Sequence, residues 1–545
     1  MRNISDVADT AGARSPSCIE AKVSAALPKL AWVAILDRAQ QQLTVLHGRA
    51  VECRPRFVVE GVWDGPFDEG EFHNGAHLFG SGVRLDGGAV HFVPSAATVD
   101  RLVYCRYGDM ILVSNSLLAL LAKTGARLDP GHDYLIEARA PIAGVDCYDS
   151  AFHVLHPRIR RFHQLYHKVL TVRGEEITCE RRIPVRTFAS FDDYYGMLRE
   201  CLAAICANAD DAARRTRLAT LGTLSTGYDS TAVCALIKDL GVRRYFTYVG
   251  SWGGQSTKDA PEYETAPIAA ALDVETIRIE APREPVSEDE LLLRAASPLG
   301  QQLPLVAIAS YVERNTEVAA VFTGFHGDIV WDLNVPDAAV SEGIVRHDIS
   351  GLDLSELRLK SGFINVAVPF LHAASIKSIA AVSRSAEMAP WTVGTTYDRP
   401  ISRRIVETAG VPRERFGFLK GGLFGGSNRP ASAKLRARYF QYVNRNVMPL
   451  PMFYARVGLD HYTMRLLARA ALLVKGRARL DKIRAALLEP FRRFNEGYSW
   501  YGRSNLRSTL YSWAAMELVT KLRERGIAEP TAGTAGRGLR SAAVR

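Results

Sequence analysis

The sequence predicts an α/β protein with two domains, and two patterns support this prediction. From residue 29 to 185, short apolar runs alternate with turn residues, as in a β-rich sandwich. From 190 to 528, strand patterns alternate with helical ones, which is typical of a parallel sheet with crossover helices, here followed by a helical extension. Residues 1–28 and 529–545 lack clear periodicity, and we expect them to be a flexible tail and a disordered tail.

The composition is that of an ordinary globular protein. The chain has 545 residues, of which 47% are hydrophobic and 23% are charged, which is enough for two or three domains with cores of their own. It contains no apolar run long enough to cross a bilayer, and its N-terminus is too polar for a signal peptide. We therefore expect a cytoplasmic protein with no membrane partner.

Cysteine usage and charge argue against three further classes, a disulfide-stabilised protein, a zinc protein and a nucleic-acid binder. Eight cysteines without a C-x-x-C pair indicate neither a disulfide framework nor a zinc site, and Cys201 and Cys206 fit the core face of a helix. The net charge of +10 comes with arginines that are dispersed along C-terminal helices without interleaved aromatic residues. This pattern favours a solvated surface with some phosphate-binding residues, so we expect no nucleic-acid partner.

The N-terminal strands follow from apolar runs that are bounded by turn signals. A hairpin is predicted across Gly108-Asp109, and it leads through Ser114-Asn115-Ser116 into a helix. The predicted strands are 30–36, 43–46, 57–59, 90–93, the two arms of the hairpin 102–116, 164–172 and 176–181, and the predicted helix is 117–123.

The second half begins with a predicted amphipathic helix and then alternates. A helix after the turn at 225–230 is expected to end at Gly241, because glycine is the usual residue just past a helix C-terminus. Helices are predicted at 191–209 and 262–272, strands at 220–224, 244–249, 275–280 and 318–322, and almost wholly helical structure from about 344 to about 525.

The second domain is organised around the turn S-x-G-x-D-S between its first strand and the next helix. Ser225 and Gly227 let the backbone pass close to a ligand, and the N–H groups of the first helical turn suit a pyrophosphate. Asp229 adds a carboxylate where a Mg²⁺ ion bridging phosphates would bind. The alternative is an ordinary strand–turn–helix corner with polar capping residues.

Three further features follow in order along the chain. The backbone of the strand containing Thr247 and Val249 is positioned to meet an adenine edge, and Glu264 ends an acidic segment that opens a helix. Gly324 and Asp328 follow another strand, at the edge where open α/β sheets place ligand groups. Each acidic residue also has an alternative role without a ligand. Glu264 would then be a solvated carboxylate at a helix start, and Asp328 would be a helix cap.

Two basic segments complete the set, 399–404 and 415–422. In order and approximate spacing, the whole set resembles the asparagine synthetase superfamily, most specifically from Thr220 to Gly422. The resemblance implies an ATP-pyrophosphatase domain that adenylates a carboxylate and lets an amine displace AMP. It also implies that the N-terminal half is similar to a class II glutamine amidotransferase domain.

The resemblance assigns roles to the matching residues. Ser225, Thr226, Gly227 and Ser230 would hold the pyrophosphate of ATP, and Thr247, Val249 and Gly324 would bind the rest of the nucleotide. Asp229 and Asp328 would bind Mg²⁺. Lys420 would contact the triphosphate, with a surface lysine in a glycine-rich loop as the alternative, and Glu264 is a further candidate catalytic residue.

The chain departs from the family at both of its sites. Glutamine-hydrolysing members need an N-terminal cysteine, but position 2 is Arg2, and Cys18 is not followed by the family's glycine. We therefore expect a degenerate amidotransferase domain without glutaminase activity. In the synthetase site, Phe325 replaces a glutamate or tyrosine, and the neighbouring His326 is either the base for the attacking amine or a packed histidine.

These features predict ATP-dependent amide-bond formation with release of AMP and pyrophosphate. Members that lack the cysteine resemble lasso-peptide macrolactam synthetases and β-lactam synthetases, and Phe325 disfavours the β-lactam branch. The substrate would be a peptide or small-molecule carboxylate, with a precursor peptide and a processing protease as possible partners. An ammonia-using ligase and a regulatory nucleotide-binding protein without turnover are the alternatives.

Overall fold

The computed structural model describes most of the chain, and the residues that it describes form three β-sheets. The described residues are 16–249, 264–280, 287–299, 305–346, 349–418, 430, 432–455 and 506–527. In these residues, no helix is long and apolar enough to cross a membrane. The expected mixed α/β class is confirmed.

The N-terminal half contains thirteen strands in two sheets. The first sheet is mixed and has the order β1-β3-β2-β9-β8-β11-β10, and the second is antiparallel with the order β13-β12-β7-β6-β5-β4. Their bounds are β1 Ile19–Val23, β2 Trp32–Asp37, β3 Gln42–His47, β4 Glu52–Arg54, β5 Phe57–Val62, β6 Phe79–Asp86, β7 Ala89–Val93, β8 Leu102–Tyr107, β9 Met110–Ser114, β10 Ala151–Phe152, β11 Phe162–Leu165, β12 Val169–Arg173 and β13 Glu176–Glu180.

These two sheets pack face to face. Trp32 and Val45 from the first sheet share one hydrophobic cluster with Val58 and Phe92 from the second. Alternation along each strand places one set of side chains in this shared core, as expected for a sandwich. Two helices flank it, α1 Leu117–Thr124 and α2 Leu135–Arg139.

Two expectations for this half need correction. Residues 19–23, which fall in the predicted flexible tail 1–28, form β1 and pair in parallel with β3, while residues 1–15 lie outside the described part. The single predicted strand 164–172 is two strands, β11 and β12, because His167 takes a left-handed conformation (φ 61°) between them. Both features depend on partners that are distant in sequence, so local patterns do not predict them.

The C-terminal half is built on a five-stranded parallel sheet with the order β16-β15-β14-β17-β18. Its strands are β14 Ala219–Thr223, β15 Arg244–Val249, β16 Glu275–Glu280, β17 Ala319–Thr323 and β18 Phe363–Ala367. The chain runs outward from β14 through β15 to β16 and then returns to the other side of β14. The strand order therefore reverses between β14 and β17.

Helices connect these strands and continue beyond them. Their bounds are α3 Phe191–Ala209, α4 Tyr228–Ile237, α5 Ala266–Leu272, α6 Glu288–Ala295, α7 Val306–Asn315, α8 Gly327–Val330, α9 Ser355–Ser361, α10 Ile376–Ser383, α11 Pro400–Thr408, α12 Ala433–Asn446 and α13 Leu506–Glu524. Helix α4 ends at Ile237, and a short 3₁₀ turn follows that ends at the predicted Gly241, which takes a left-handed conformation (φ 87°). Helix α5 begins at Ala266, later than the predicted 262.

The strand β18 contradicts the prediction of almost wholly helical structure beyond residue 344. Phe363–Ala367 is fully buried and pairs in parallel with β17. A half-exposed strand shows a period-two pattern, but a short apolar run that is buried on both faces does not. The sequence of β18 therefore does not distinguish a strand from a helix. The predicted tail 529–545 lies outside the described residues.

A buried arginine joins the two halves. Arg358 on α9 donates to both carboxylate oxygens of Glu60 on β5, at 2.7 and 3.0 Å, and its Nε donates to Asp100 at 2.7 Å. Ser81 and Ser355 also donate to these two carboxylates. The interface is therefore held by a charged cluster whose hydrogen bonds are made within the protein.

Candidate functional site

Two loops meet at the carboxyl edge of the parallel sheet. The loop 225–230 follows β14, and the loop 324–328 follows β17, the neighbouring strand. The edge between them is the place where the strand order reverses, and open α/β sheets bind ligands in the crevice at such a point. The predicted site residues of both loops thus lie at one position of the fold.

The loop after β14 is held in shape by its own side chains. Ser225 Oγ lies 2.5 Å from Ser230 Oγ and accepts the N–H of Gly227 at 3.1 Å. Thr231 Oγ1 donates to the carbonyls of Ser225 and Gly227 at 2.6 and 2.7 Å. The loop leads directly into α4, whose first residue is Tyr228. The N-terminus of α4 therefore faces the bend that these serines form.

The loop after β17 lies directly against Asp229. A Cβ atom at Gly324 would be 2.7 Å from Asp229 Cβ, and one at Gly327 would be 2.6 Å from Asp229 Cγ. Real Cβ atoms do not approach so closely, so these positions require glycine. The structure thus brings together Asp229, Gly324 and the residue next to Gly327, Asp328, as the sequence predicts.

Arg399 links the acidic residues of the site. It lies just before α11, is 1% exposed, forms an ion pair with Asp229, and its Nε lies 3.7 Å from Asp332 Oδ2. Burial alone would lower the pKa of Arg399, but the carboxylates of Asp229 and Asp328, together with Tyr397, outweigh it and raise the pKa. Both predicted metal carboxylates therefore act on one guanidinium.

Arg399 lies in the basic segment 399–404, but its sequence context indicates no role for it, nor for Asp332 or Tyr397. The one local signal for Arg399 is its position directly before Pro400, the residue that begins α11. Its acidic partners come from distant positions in the chain, so their convergence is a result of the fold.

An aromatic layer supports the loop from behind. The ring of Tyr228 lies 4.8 Å from that of Tyr397, and Arg403 donates to the Tyr228 hydroxyl while its guanidinium lies over the Phe416 ring. The N–H of Gly417 donates to the carbonyl of Thr226 at 2.8 Å. Predicted site residue Lys420 lies outside the described residues.

The predicted nucleotide-binding strand ends at the same edge of the sheet. Thr247 is buried in β15, and its hydroxyl lies 2.8 Å from that of Thr265, just before α5. Val249 is the last residue of β15, and Glu264 is exposed and adjacent to Thr265. The structure places these residues one strand away from the loop 225–230, beyond β14.

His326 takes a left-handed conformation (φ 76°) between the two glycines of its loop. Its ring is buried and stacks on Phe370, with centroids 4.5 Å apart and an interplanar angle of 11°. The neighbouring Phe325 packs against the core. The packed histidine that the sequence leaves open as an alternative is thus present, and the base role stays a prediction.

The motif that resembles the amidotransferase domain has a structural role in this chain. Asn115 accepts the N–H of Trp32 at 2.9 Å and donates to the carbonyl of Leu30 and to Glu60. Ser116 caps α1 and donates to Glu356 at 2.8 Å. These polar groups therefore help to hold the sandwich to the second half.

The residues at the switch point fit a magnesium–nucleotide complex. Mg²⁺ prefers oxygen ligands, and Asp229 and Asp328 supply two carboxylates from facing loops. Gly227 precedes the first turn of α4 and has no side chain to separate an anion from the loop.

Comparisons with known proteins neither support nor oppose this interpretation. No protein-family model matches the chain, and a search of curated proteins finds no match either.

Proposed function

We propose that this protein forms amide bonds by ATP-dependent adenylation of a carboxylate, with release of AMP and pyrophosphate. The observation that carries the proposal is the contact between the backbone of Gly324 and Gly327 and the side chain of Asp229. It places two carboxylates and a small-residue loop at one switch point, and this arrangement suits the polyphosphate of a nucleotide.

The loop and its neighbours have separate tasks in this reaction. Ser225, Ser230 and the N-terminus of α4 bind phosphate oxygens, and Asp229 and Asp328 would hold Mg²⁺. When bound, the ion neutralises charge on the phosphates during the transfer. Arg399 lies beside both carboxylates and contributes a fixed positive charge to the same place.

We propose a peptide carboxylate as the substrate, in a lasso-type macrolactam or another natural-product amide, with a precursor peptide and a processing protease as partners in the cytoplasm. In this proposal the attacking amine does not come from glutamine hydrolysis. His326 is the candidate base for that amine, since it stands directly before Gly327 in the loop that contacts Asp229. An ammonia-using ligase is the closest alternative.

One observation favours a second function, nucleotide binding without turnover. The ion pair between Arg399 and Asp229 engages a carboxylate that the magnesium ion requires. If this pair persists with nucleotide bound, the site holds a nucleotide but does not activate it.

Pyrophosphate release from ATP separates these functions. The purified chain is incubated with ATP, Mg²⁺ and either carboxylate-bearing peptides or free amino acids with ammonia. We expect release only with a peptide, and Asp328→Asn should lower the rate by about 100-fold or more, because a carboxylate that stabilises transferring charge is lost. Asp337→Asn, an exposed aspartate in a nearby 3₁₀ turn, is the matched control.

Each outcome has one meaning. Release with ammonia and amino acids assigns the ligase alternative. Nucleotide binding without pyrophosphate release under any condition assigns the regulatory binder. Equal rates for the Asp328→Asn and Asp337→Asn variants would refute the role of Asp328, and no pyrophosphate release and no nucleotide binding by the parent protein would refute the proposed reaction.

A further inference from the structure

Three potential metal ligands converge outside the loops 225–230 and 324–328. His77 precedes β6 in the sandwich, Cys201 lies on α3, and His372 follows β18 in the parallel-sheet half. One ligand atom from each residue lies within 4.8 Å of the other two. The cluster thus joins three elements from both halves of the chain.

A carboxylate orients the first histidine. Asp64 Oδ2 lies 2.6 Å from His77 Nδ1, and Asp64 Oδ1 accepts the N–H of His77 at 2.6 Å. Since Nδ1 carries the proton in this pairing, Nε2 carries a lone pair. Metal-ligating histidines are typically held by a carboxylate in this way, which fixes both the tautomer and the ring orientation.

The two histidines are held next to each other. His77 Nε2 accepts the N–H of His372 at 3.1 Å, and the ring centroids are 4.5 Å apart. His372 takes a left-handed conformation (φ 52°), which a non-glycine residue adopts only at a cost. The backbone is therefore bent at the residue that brings the second ring to the cluster.

The thiol is partly accessible. Cys201 is half-buried, while Cys206 on the same helix is buried in the core. Cys206 is thus a core residue, as expected, and Cys201 packs against the same core while part of its side chain stays accessible. His77 is almost fully buried, so an ion reaches the cluster from the side of Cys201 and His372.

We propose that His77, Cys201 and His372 bind a zinc ion that ties the sandwich to the parallel-sheet half. One sulfur and two imidazole nitrogens suit Zn²⁺, whereas Mg²⁺ and Ca²⁺ prefer oxygen. On zinc binding, the thiol of Cys201 releases its proton to solvent and its sulfur bonds to the ion. His77 Nε2 loses the hydrogen bond from the N–H of His372, and its lone pair bonds to the ion instead. This proposal differs from the sequence expectation of no zinc site, which rested on the absence of a C-x-x-C pair.

Zinc binding by the full chain tests the site. After treatment with a chelator, the protein is titrated with Zn²⁺ alone, and we expect one equivalent to bind and to raise the melting temperature. Cys201→Ser and His372→Gln should each weaken binding by about 100-fold or more, because each removes a ligand. Cys206→Ser, which removes a cysteine from the same helix, should bind as the parent protein does.

A second measurement does not depend on any variant folding. Co²⁺ added to the unmodified protein should give the ultraviolet absorption band of a thiolate–cobalt bond. A bound cobalt without this band would overturn the proposal, and so would equal zinc affinity in the parent protein and the Cys201→Ser variant. Asp328→Asn should retain zinc in full, so the outcome is independent of the proposed ligase activity.

Discussion

Two buried arginines, Arg358 and Arg399, occupy similar surroundings but differ in one respect. Each is 1% exposed and lies between two acidic residues. Glu60 and Asp100, the partners of Arg358, are 0% and 3% exposed. Asp229 and Asp332, the partners of Arg399, are 23% and 14% exposed.

The exposure of the acids distinguishes a structural cluster from the proposed binding site. Around Arg358 the carboxylates accept hydrogen bonds from the arginine and from serines, and no solvent reaches Glu60. Around Arg399 the carboxylates reach solvent, so a ligand or ion can exchange with the guanidinium. We therefore expect the Arg358 cluster to contribute to stability, while the Arg399 cluster belongs to the proposed site.

The largest expected effect is on the Arg358 cluster. Arg358→Met should lower the free energy of unfolding by about 3–5 kcal/mol, because it leaves two buried carboxylates without a cation. Thermal and urea unfolding measure this loss. Arg217→Met is the control. Arg217 is 61% exposed, so this substitution should lower the free energy of unfolding by about 1 kcal/mol or less. Equal losses in the two variants would refute the structural role of the cluster.

A smaller and different effect is expected at Arg399. Arg399→Met should lower the free energy of unfolding by about 1–3 kcal/mol. The loss is smaller than at Arg358 because water partly solvates the two carboxylates that lose their arginine. Added Mg²⁺ should restore much of this loss, since the ion can bind Asp229 and its neighbours. The melting temperature with and without Mg²⁺ measures the recovery. If Mg²⁺ restores Arg358→Met equally well, the distinction between the two clusters fails.

The smallest effect is expected where the acid is most exposed. Hydrogen bonds from Lys521 and Arg438 lower the pKa of Glu288 on α6 from 4.5 to about 2. A lowered pKa in the folded state contributes stability above about pH 4.5, and this contribution disappears as the pH falls toward 2.

Glu288→Gln should therefore lower the melting temperature slightly at pH 7, by the equivalent of about 0.5 kcal/mol after solvent screening. The difference from the parent protein should vanish near pH 2, and thermal unfolding across this range measures it. A difference that grows as the pH falls would have the wrong sign and would contradict the assignment.

Local sequence patterns predict part of this fold and of its candidate site. The contact between Asp229 and the loop 324–328 is predictable, because both follow strands of a parallel sheet and such strands end at one edge. The strands β1 and β18 are not predictable from local patterns, because each forms by pairing with a strand that is distant in the sequence.

The charged and metal-binding clusters are even less predictable. Arg399 meets Asp229 across 170 positions of the chain, and Cys201 looks like any apolar position of an amphipathic helix. Spacing rules for zinc sites work when ligands are close in sequence. They do not apply when ligands come from three separate elements, as His77, Cys201 and His372 do.

The cluster around Arg358 has a practical consequence for dividing the chain. A break between residues 185 and 190 would leave Glu60 and Asp100 in one fragment and Arg358 in the other. Each fragment made alone would expose an apolar face that carries uncompensated charge, so it should aggregate or be degraded. Produced together, the two fragments should recombine, because Arg358 in one fragment neutralises Glu60 and Asp100 in the other.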